Sequence, residues 1–250
     1  MIAGGLMDGA PYIEVEVSMD DDIKLEKGIW GYGHINEQLA NAREIIEKEL
    51  PDKIFLIGGD CGTEVAPMSY LNKLYGGDLA VLWLDAHGDL NSAHTSASHN
   101  FHGMPLRCLL GESDAALLSQ CFSTLRPLQI IMGGLRDLDP PEAEFIENTG
   151  IACLSVSDIE KDAGAASEAI KAKGLRNLYV HIDVDVLDSG KCPWALCPSP
   201  DGISMGALMA LLLDLRSKFN IVGISLLELK PVEGMEMKPL KALVEFCKEI

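Results

Sequence analysis

The chain has 250 residues, of which 48% are hydrophobic and 23% are charged. This composition is typical of a folded globular protein and the length fits one large domain, which excludes a disordered chain and a small disulfide-stapled scaffold. The formal net charge of −18 disfavours nucleic acid and anionic lipid as partners and suits a small cationic ligand. Scattered cysteines, with neither a signal-peptide pattern nor a long apolar run, predict reduced thiols in a cytoplasmic protein without a membrane segment.

Short apolar runs alternate with helix-like segments along the chain. The predicted strands are 54–59, 79–86, 128–133, 152–156, 178–187 and 221–228. The predicted helices are 35–50, 63–74, 141–148, 158–173, 204–218 and 238–249. Most of the strand candidates are continuously apolar, as is typical of parallel strands that are covered on both faces. The alternation therefore predicts an α/β fold with a mostly parallel sheet.

Acidic and metal-ligating side chains follow the ends of most of these predicted strands. They are Asp60 and Cys61, the segment 85–89, the segment 136–139, the segment 183–188, and Glu228. Ligands of open parallel sheets bind outside the carboxyl ends of the strands. We therefore expect these side chains to meet at one edge of the sheet.

Two short motifs at this edge have the chemistry of a metal centre. Asp85, His87 and Asp89 alternate along the chain, so an extended backbone would direct all three the same way. Asp183 and Asp185 would share one strand face in the same manner. A single motif of this kind is more often solvated or a helix cap, but four neighbouring carboxylates would repel each other severely. Two divalent ions bridged by shared carboxylates would neutralise them.

Several segments, taken together and in order, resemble the signatures of the ureohydrolase family, which includes arginases, agmatinases and formiminoglutamases. They are 58–61, 85–89, 98–103, 136–140 and 183–188. The resemblance implies a single arginase-like catalytic domain over residues 1–250, with a three-layer α/β/α fold and a mostly parallel sheet of about eight strands. It also implies a binuclear manganese centre that hydrolyses a guanidino or related amidine C–N bond. Family members are often trimers or hexamers, and the short chain leaves a monomer open.

The resemblance also implies roles for the metal-ligating residues. Asp85 and Asp183 would bridge the two metals. His87 and Asp185 would bind one ion, and Asp89 would bind the other. Asp89 would also accept a hydrogen bond from the metal-bridging hydroxide that attacks the guanidinium carbon.

Three further residues have a functional and a structural interpretation. Glu228 resembles the glutamate that holds the guanidinium by a bidentate pair, and its alternative is a strand-end salt bridge. His102 lies at the family's spacing for a proton-shuttle histidine, and its alternative is a loop histidine without chemistry. His181 is interpreted as a structural histidine, with support of a metal ligand as the alternative.

Cys61 departs from the family pattern, which has Gly-Gly-Asp-His with the histidine as a terminal metal ligand. The thiolate could replace the imidazole, which would favour Zn²⁺, Fe²⁺ or Co²⁺ at this position and suit a better leaving group. The site could instead be weakened, so that one metal is lost easily. The cysteine could also be inert in a catalytically poor protein.

Four loop residues match positions that recognise the α-carboxylate and α-amino groups of arginine. Asn91 and Ser98 match the carboxylate side, and Asp139 and Glu142 match the amino side. This favours L-arginine or a close derivative such as N-hydroxyarginine, hydrolysed to urea or hydroxyurea and ornithine. The alternatives are an agmatinase, another guanidino-acid or formimino hydrolase, and a catalytically silent member.

The segment 189–200 replaces a short loop of the family and is longer. It follows a ligand-bearing strand, so it could wall the pocket with Trp194 as a lid. Cys192 and Cys197 within it are interpreted as part of a proline-stiffened loop, with a metal or disulfide pair as the alternative. Ser204 just after it resembles a pocket threonine of the family, near the guanidinium.

Overall fold

A computed structural model describes residues 11–230 and 238–250. Its main sheet has six strands, all parallel, in the spatial order β3-β8-β7-β4-β5-β6. They are β3 (Ile54–Ile57), β4 (Leu79–Leu84), β5 (Ile130–Gly133), β6 (Ala152–Leu154), β7 (Asn177–Asp183) and β8 (Asn220–Leu227). Two short antiparallel strands, β1 (Leu25–Glu26) and β2 (Ile29–Trp30), pair only with each other. The carboxyl ends of the six parallel strands therefore share one edge.

Helices cover both faces of this sheet. They are α1 (Tyr32–Glu49), α2 (Val65–Leu74), α3 (Pro105–Leu109), α4 (Ala115–Gln120), α5 (Pro140–Thr149), α6 (Val156–Lys161), α7 (Ala165–Lys173), α8 (Met205–Lys218) and α9 (Lys238–Lys248). Leu82 and Leu84 of β4 pack in one hydrophobic cluster with α6 to α9, whereas Val81 and Trp83 pack in a second cluster with α1 to α4. Alternate side chains of a strand point to opposite faces. Burial on both faces explains why the strands were continuously apolar in sequence and confirms the three-layer α/β/α fold.

The six predicted strands are all present, and most predicted elements differ from the structure by up to three residues at an end, but two differ by more. The strand predicted over 178–187 ends at Asp183, because that side chain accepts a hydrogen bond from Asp185 N and starts a 3₁₀ turn. The helix predicted over 158–173 is two helices, since Asp162 leaves the helical conformation and its Oδ1 accepts from Gly164 N at 2.8 Å. The short helices α3 and α4 and the β1–β2 pair were not predicted.

The sheet has fewer strands, in the part of the chain described, than the eight or so that the resemblance implies. The long connections after β4 and β7 form turns, 3₁₀ segments and helices in place of further strands of the sheet. Side-chain carboxylates accept the backbone N–H groups of these connections, as at His87 and Asp185. Among the described residues, no helix is long and apolar enough to cross a bilayer.

The contact between β7 and β8 generates a stability prediction. A Cβ atom added at Gly223 would lie 2.3 Å from Tyr179 Cδ2 and 2.9 Å from Leu71 Cδ1. We expect Gly223→Ala to lower the free energy of unfolding by about 1–3 kcal/mol through overpacking, measured by urea denaturation.

The matched control is Gly206→Ala in the exposed first turn of α8, where the nearest atom lies 3.9 Å away. This change should be neutral or stabilise by up to about 1 kcal/mol, because alanine is the better helix former. Equal effects of the two substitutions would contradict the packing argument.

Candidate metal centre

A tight turn after β3 brings Cys61 into the interior. Asp60 is extended and its Oδ1 accepts from Gly62 N at 2.7 Å, which caps the 3₁₀ segment Cys61–Glu64. The Cys61 side chain is buried, and its Sγ lies 3.3 Å from Asp183 Oδ2. Burial, and then the neighbouring carboxylates, raise the pKa of this thiol well above its usual range. A nearby cation would favour the thiolate form that binds metals.

The side chains of the D-x-H-x-D motif converge, although the backbone does not stay extended as the alternation argument assumed. Asp85 Oδ1 accepts from His87 N at 2.7 Å, which folds the chain into a turn, and Asp89 has a φ of 53°. Asp85 and Asp89 lie in one group of potential ligands with Cys61, and Asp85 and His87 lie in another with Asp185. The ligand atoms within each group are within 4.8 Å of one another.

Asp183 and Asp185 reach the same place from the end of β7, but they do not share a strand face because the strand stops between them. Asp185 Oδ1 accepts from Ala86 N at 3.0 Å, and its Oδ2 lies 2.9 Å from His87 Nδ1. The hydrogen bond with Asp185, and then that with Asp85, raises the pKa of His87 to about 12. Burial and the charge of Asp85 raise the pKa of Asp185 to about 6.

The donor set fits two divalent cations. The carboxylates of Asp85, Asp89, Asp183, Asp185 and Glu228 are at most 4% exposed. Burial and the charge of Asp85 raise the pKa of Asp89 and of Asp183 well above the usual range. Among the described residues, Asp89 Oδ2 and Glu228 Oε2 are buried without a hydrogen-bond partner. Asp85 belongs to both groups of potential ligands, as the bridging role predicted for it would require.

His102 and Glu228 lie next to this cluster and contact each other. His102 belongs to the 3₁₀ segment Phe101–Gly103, and its Nδ1 lies 3.1 Å from Glu228 Oε1. Glu228 follows β8 with a φ of 57°, a left-handed conformation that is uncommon outside glycine. The hydrogen bond with Glu228 raises the pKa of His102. The structure thus places the histidine predicted to be the proton shuttle against the carboxylate predicted to hold the guanidinium.

The residues predicted to bind the α-carboxylate and the α-amino group of the substrate contact each other through Asn91 and Asp139. Asn91 Nδ2 donates to Asp139 Oδ2 at 2.9 Å, and Asp139 itself is exposed at the start of α5. The two carboxylate oxygens of Glu142 accept from Leu90 N and Asp139 N, each at 3.0 Å. Glu142 therefore ties the loop after the D-x-H-x-D motif to α5 and positions Asp139.

Two predicted substrate-binding serines have different surroundings. Ser98 is exposed, and its Oγ lies 3.3 Å from Ser96 Oγ. Ser204 is the N-cap of α8, where its Oγ accepts from Ala207 N at 3.1 Å. This cap satisfies a free N–H of the helix, a structural role that the sequence analysis did not consider.

The segment 189–200 runs beside the end of β8, as expected for a wall of the pocket. Leu196 N donates to the carbonyl oxygen of Glu228 at 2.8 Å, and Ala195 forms an antiparallel bridge with Leu229. The lid expected of Trp194 is wrong, because this side chain is 3% exposed and packs in the hydrophobic core. Cys192 and Cys197 are both free thiols, so they form no disulfide.

The sequence analysis missed the roles of two residues that organise the centre. The Arg136 guanidinium donates to the carbonyl oxygens of Asp185 at 2.5 Å and of Pro200 at 2.6 Å, so it fixes the segment 189–200 to the turn that contains Asp185. Glu64 is fully buried and lies 2.5 Å from His181 Nδ1. In the sequence, Arg136 stands directly before Asp137 and Glu64 stands three residues after Cys61. These positions place both residues near predicted site residues, but they do not identify the partner of either one.

The model of the arginase family matches residues 6–249. The chain belongs to the arginase family. It is 32% identical to an arginase of Staphylococcus aureus over 208 residues, which are 76% of this chain and 68% of that protein. The structure of Bacillus subtilis arginase matches with a TM-score of 0.77 and 26% identity, covering 90% of this chain and 80% of that one.

A second solved structure, Entamoeba histolytica arginase in complex with L-ornithine, matches with a TM-score of 0.80. It is 23% identical and covers 94% of this chain and 80% of that one, so it supports the fold. Family membership makes this chain a metal-dependent hydrolase of the ureohydrolase type that acts on a guanidino group. Arginase-family enzymes work with a binuclear metal centre, and the clustered donor atoms agree with that.

The raised carboxylate pKa values predict how the metal-free protein responds to pH. Asp185 has a pKa of about 6 in the fold against an ordinary value of 3.8. The folded chain therefore holds a proton that the unfolded chain releases, so this stabilisation is complete below pH 3.8 and is lost as pH rises through about 6. In chelator, we expect calorimetry to show a Tm that falls over this range and falls less in Asp185→Asn.

The exposed Asp20→Asn is the control and should leave the profile unchanged. Protein saturated with divalent ions should show the opposite slope, because ion binding requires deprotonated carboxylates. An identical pH profile for the chelated and the metal-loaded protein would contradict the assignment of this cluster as a metal centre.

Proposed function

We propose that this enzyme hydrolyses the guanidino C–N bond of L-arginine or a close derivative such as N-hydroxyarginine, giving urea or hydroxyurea and ornithine. The observation that carries the proposal is Glu228 Oε2, a buried carboxylate oxygen without a partner among the described residues, beside His102 and the metal-ligand cluster. A guanidinium group offers the paired N–H donors that such a carboxylate accepts. A cytoplasmic location, expected from the sequence, is part of this proposal.

The proposal assigns the metal ligands as the sequence does: Cys61, Asp85, His87, Asp89, Asp183 and Asp185. When bound, two divalent ions lower the pKa of a water molecule so that a hydroxide nucleophile is available near neutral pH. Asp89 Oδ2, which is buried without a hydrogen-bond partner among the described residues, would accept the hydrogen of such a nucleophile and so orient it. Manganese is the ion implied by the family, and the thiol of Cys61 favours Zn²⁺, Fe²⁺ or Co²⁺ on its side.

His102 supplies the proton for the leaving amine. Its Nδ1 contacts Glu228, which raises the pKa of the ring and keeps it charged closer to neutral pH. The side chain is 29% exposed, so it can regain a proton from solvent after each turnover. Glu228 therefore has two tasks: it holds the guanidinium and it maintains the acid form of His102.

The α-amino and α-carboxylate groups of arginine meet the loop residues in this proposal. The exposed Asp139 accepts the α-ammonium group, while Ser98 and Asn91 offer donors to the α-carboxylate. Glu142 contributes by positioning Asp139, since both of its oxygens are already engaged. The second candidate function is hydrolysis of agmatine. The hydrogen bond between Asn91 and Asp139 favours it, because agmatine could be recognised without rearrangement of this pair.

A substrate comparison tests the proposal. We expect urea or hydroxyurea release from L-arginine or N-hydroxyarginine at a kcat/KM at least about tenfold above that for agmatine, because agmatine lacks the α-carboxylate. Protein loaded with Mn²⁺, Co²⁺ or Zn²⁺ is assayed with all three compounds at equal concentration. Preference for agmatine would establish the second candidate, and no turnover by protein with both ions bound would overturn the guanidino proposal for these substrates.

Glu228→Gln tests the carboxylate directly. Loss of one charge-assisted pair, worth about 1.5–3 kcal/mol, should lower kcat/KM by about 10- to 150-fold. Glutamine also removes the group that raises the pKa of His102, so the alkaline limb of the rate profile should move to lower pH. The exposed Glu112→Gln is the control and should change neither quantity. A Glu228→Gln protein with wild-type kcat/KM would remove Glu228 from the substrate site.

A further inference from the structure

A histidine that the family pattern does not use faces the Cys61 side of the centre. His181 lies on β7 two residues before Asp183 and is 0% exposed. Its Nε2 lies 3.4 Å from Asp85 Oδ2 and 4.0 Å from Cys61 Sγ. Together with an oxygen of Asp89, these atoms form one group within 4.8 Å, which suits ligands around a single ion.

The other ring nitrogen of His181 is held by a buried carboxylate. Nδ1 lies 2.5 Å from Glu64 Oε1, and Glu64 Oε2 accepts from the hydroxyl of Ser225 at 2.5 Å. The imidazole also stacks on Trp83, with ring centroids 3.7 Å apart and planes 8° from parallel. A histidine that donates Nδ1–H to a carboxylate presents the lone pair of Nε2 on its opposite edge. The ring is therefore fixed with that edge towards Cys61 and Asp85.

We propose that His181 is a metal ligand through Nε2 on the Cys61 side of the centre, and that Glu64 is its positioning residue. The proposal rests on the proposed function only in that the centre holds divalent ions. The imidazole that Cys61 replaces in the turn after β3 is then supplied from β7. Because a neutral imidazole adds a ligand without adding negative charge, it suits a cluster already crowded with carboxylates.

The resulting donor set includes one thiolate, one imidazole and the carboxylates of Asp85 and Asp89. Sulfur and nitrogen donors select Zn²⁺, Fe²⁺ or Co²⁺ over Mn²⁺, which prefers oxygen. The rival account is that a protonated His181 lies between Glu64 and Asp85 and takes the place of one cation. The two accounts differ in the number of ions bound and in whether Nε2 carries a proton or a metal.

Proton NMR of the Co²⁺-loaded protein separates the two accounts. The ring N–H of a histidine bound to Co²⁺ gives a strongly shifted signal, so His87 through Nε2–H and His181 through Nδ1–H should each contribute one. We expect His181→Gln to lose one of these signals and to bind one of the two ions at least about 100-fold more weakly by equilibrium dialysis. That loss exceeds the tenfold to hundredfold effect typical of residues that only support a ligand. The exposed His94→Gln is the matched control and should retain both signals and both ions.

Two further variants keep the test decisive if His181→Gln fails to fold. Glu64→Gln retains a hydrogen-bond acceptor, so it should keep the His181 signal at a changed position and weaken binding about tenfold to hundredfold. Cys61→His should lose the sulfur-to-cobalt charge-transfer absorption and keep the His181 signal. A Glu64→Gln protein with unchanged signals and affinity would overturn the positioning role of Glu64, and a His181→Gln protein that keeps both signals and both ions would overturn the ligand assignment.

Wild-type protein that binds a single ion and keeps a proton on His181 Nε2 would also overturn it, in favour of the rival account. None of these measurements needs a substrate. A protein that shows the His181 signal with both ions but hydrolyses no guanidino compound would contradict the proposed function alone.

Discussion

Mutual repulsion among buried carboxylates at the carboxyl edge of the sheet is the constraint on which the other features of this structure depend. Asp85, Asp89, Asp183, Asp185 and Glu228 lie there almost without contact with solvent. Charges at such separations repel strongly where the surroundings are poorly polarisable. Backbone N–H groups offset part of this cost at three of the aspartates, and bound protons or cations supply the remainder. The clustering of these carboxylates at one edge of the sheet therefore fits the binuclear metal centre of the arginase family.

The need to bring N–H groups to carboxylates explains where sequence reasoning succeeded and where it failed. The apolar runs predicted all six parallel strands, because a strand buried on both faces consists almost entirely of apolar residues. The D-x-H-x-D motif predicted a cluster from the metal-ligating chemistry of its side chains, and the structure has that cluster. The extended backbone assumed in that prediction is wrong. The chain bends after Asp85 and after Asp183, since each carboxylate accepts an N–H from two residues ahead. Such turns depend on the charge balance of the assembled site, which no single segment shows.

Long-range pairs were the part of the site that the sequence could not predict. Glu64 and His181 are 117 residues apart, and Arg136 lies 64 residues from Pro200. The residues next to each of them in the sequence do not indicate its partner. The partners meet only when β3, β7 and β5 take their places in the sheet. His102 and Glu228, 126 residues apart, were predicted to share the site because both match family positions, and the structure places them in contact. A functional residue can therefore be predicted from sequence when its own segment identifies it. When its role depends on a contact between distant segments, the fold must be known first.

Placing an imidazole on β7 in place of the turn after β3 changes the electronic character of the proposed centre. A strand buried on both faces holds His181 more rigidly than a 3₁₀ turn would, and stacking on Trp83 removes the remaining freedom of the ring. The Glu64 carboxylate makes the ring a stronger donor, and the Cys61 thiolate adds a negative charge. Both effects reduce the Lewis acidity of the ion they bind. A centre of this kind would therefore activate water less strongly on the Cys61 side than one built from imidazole and carboxylates alone.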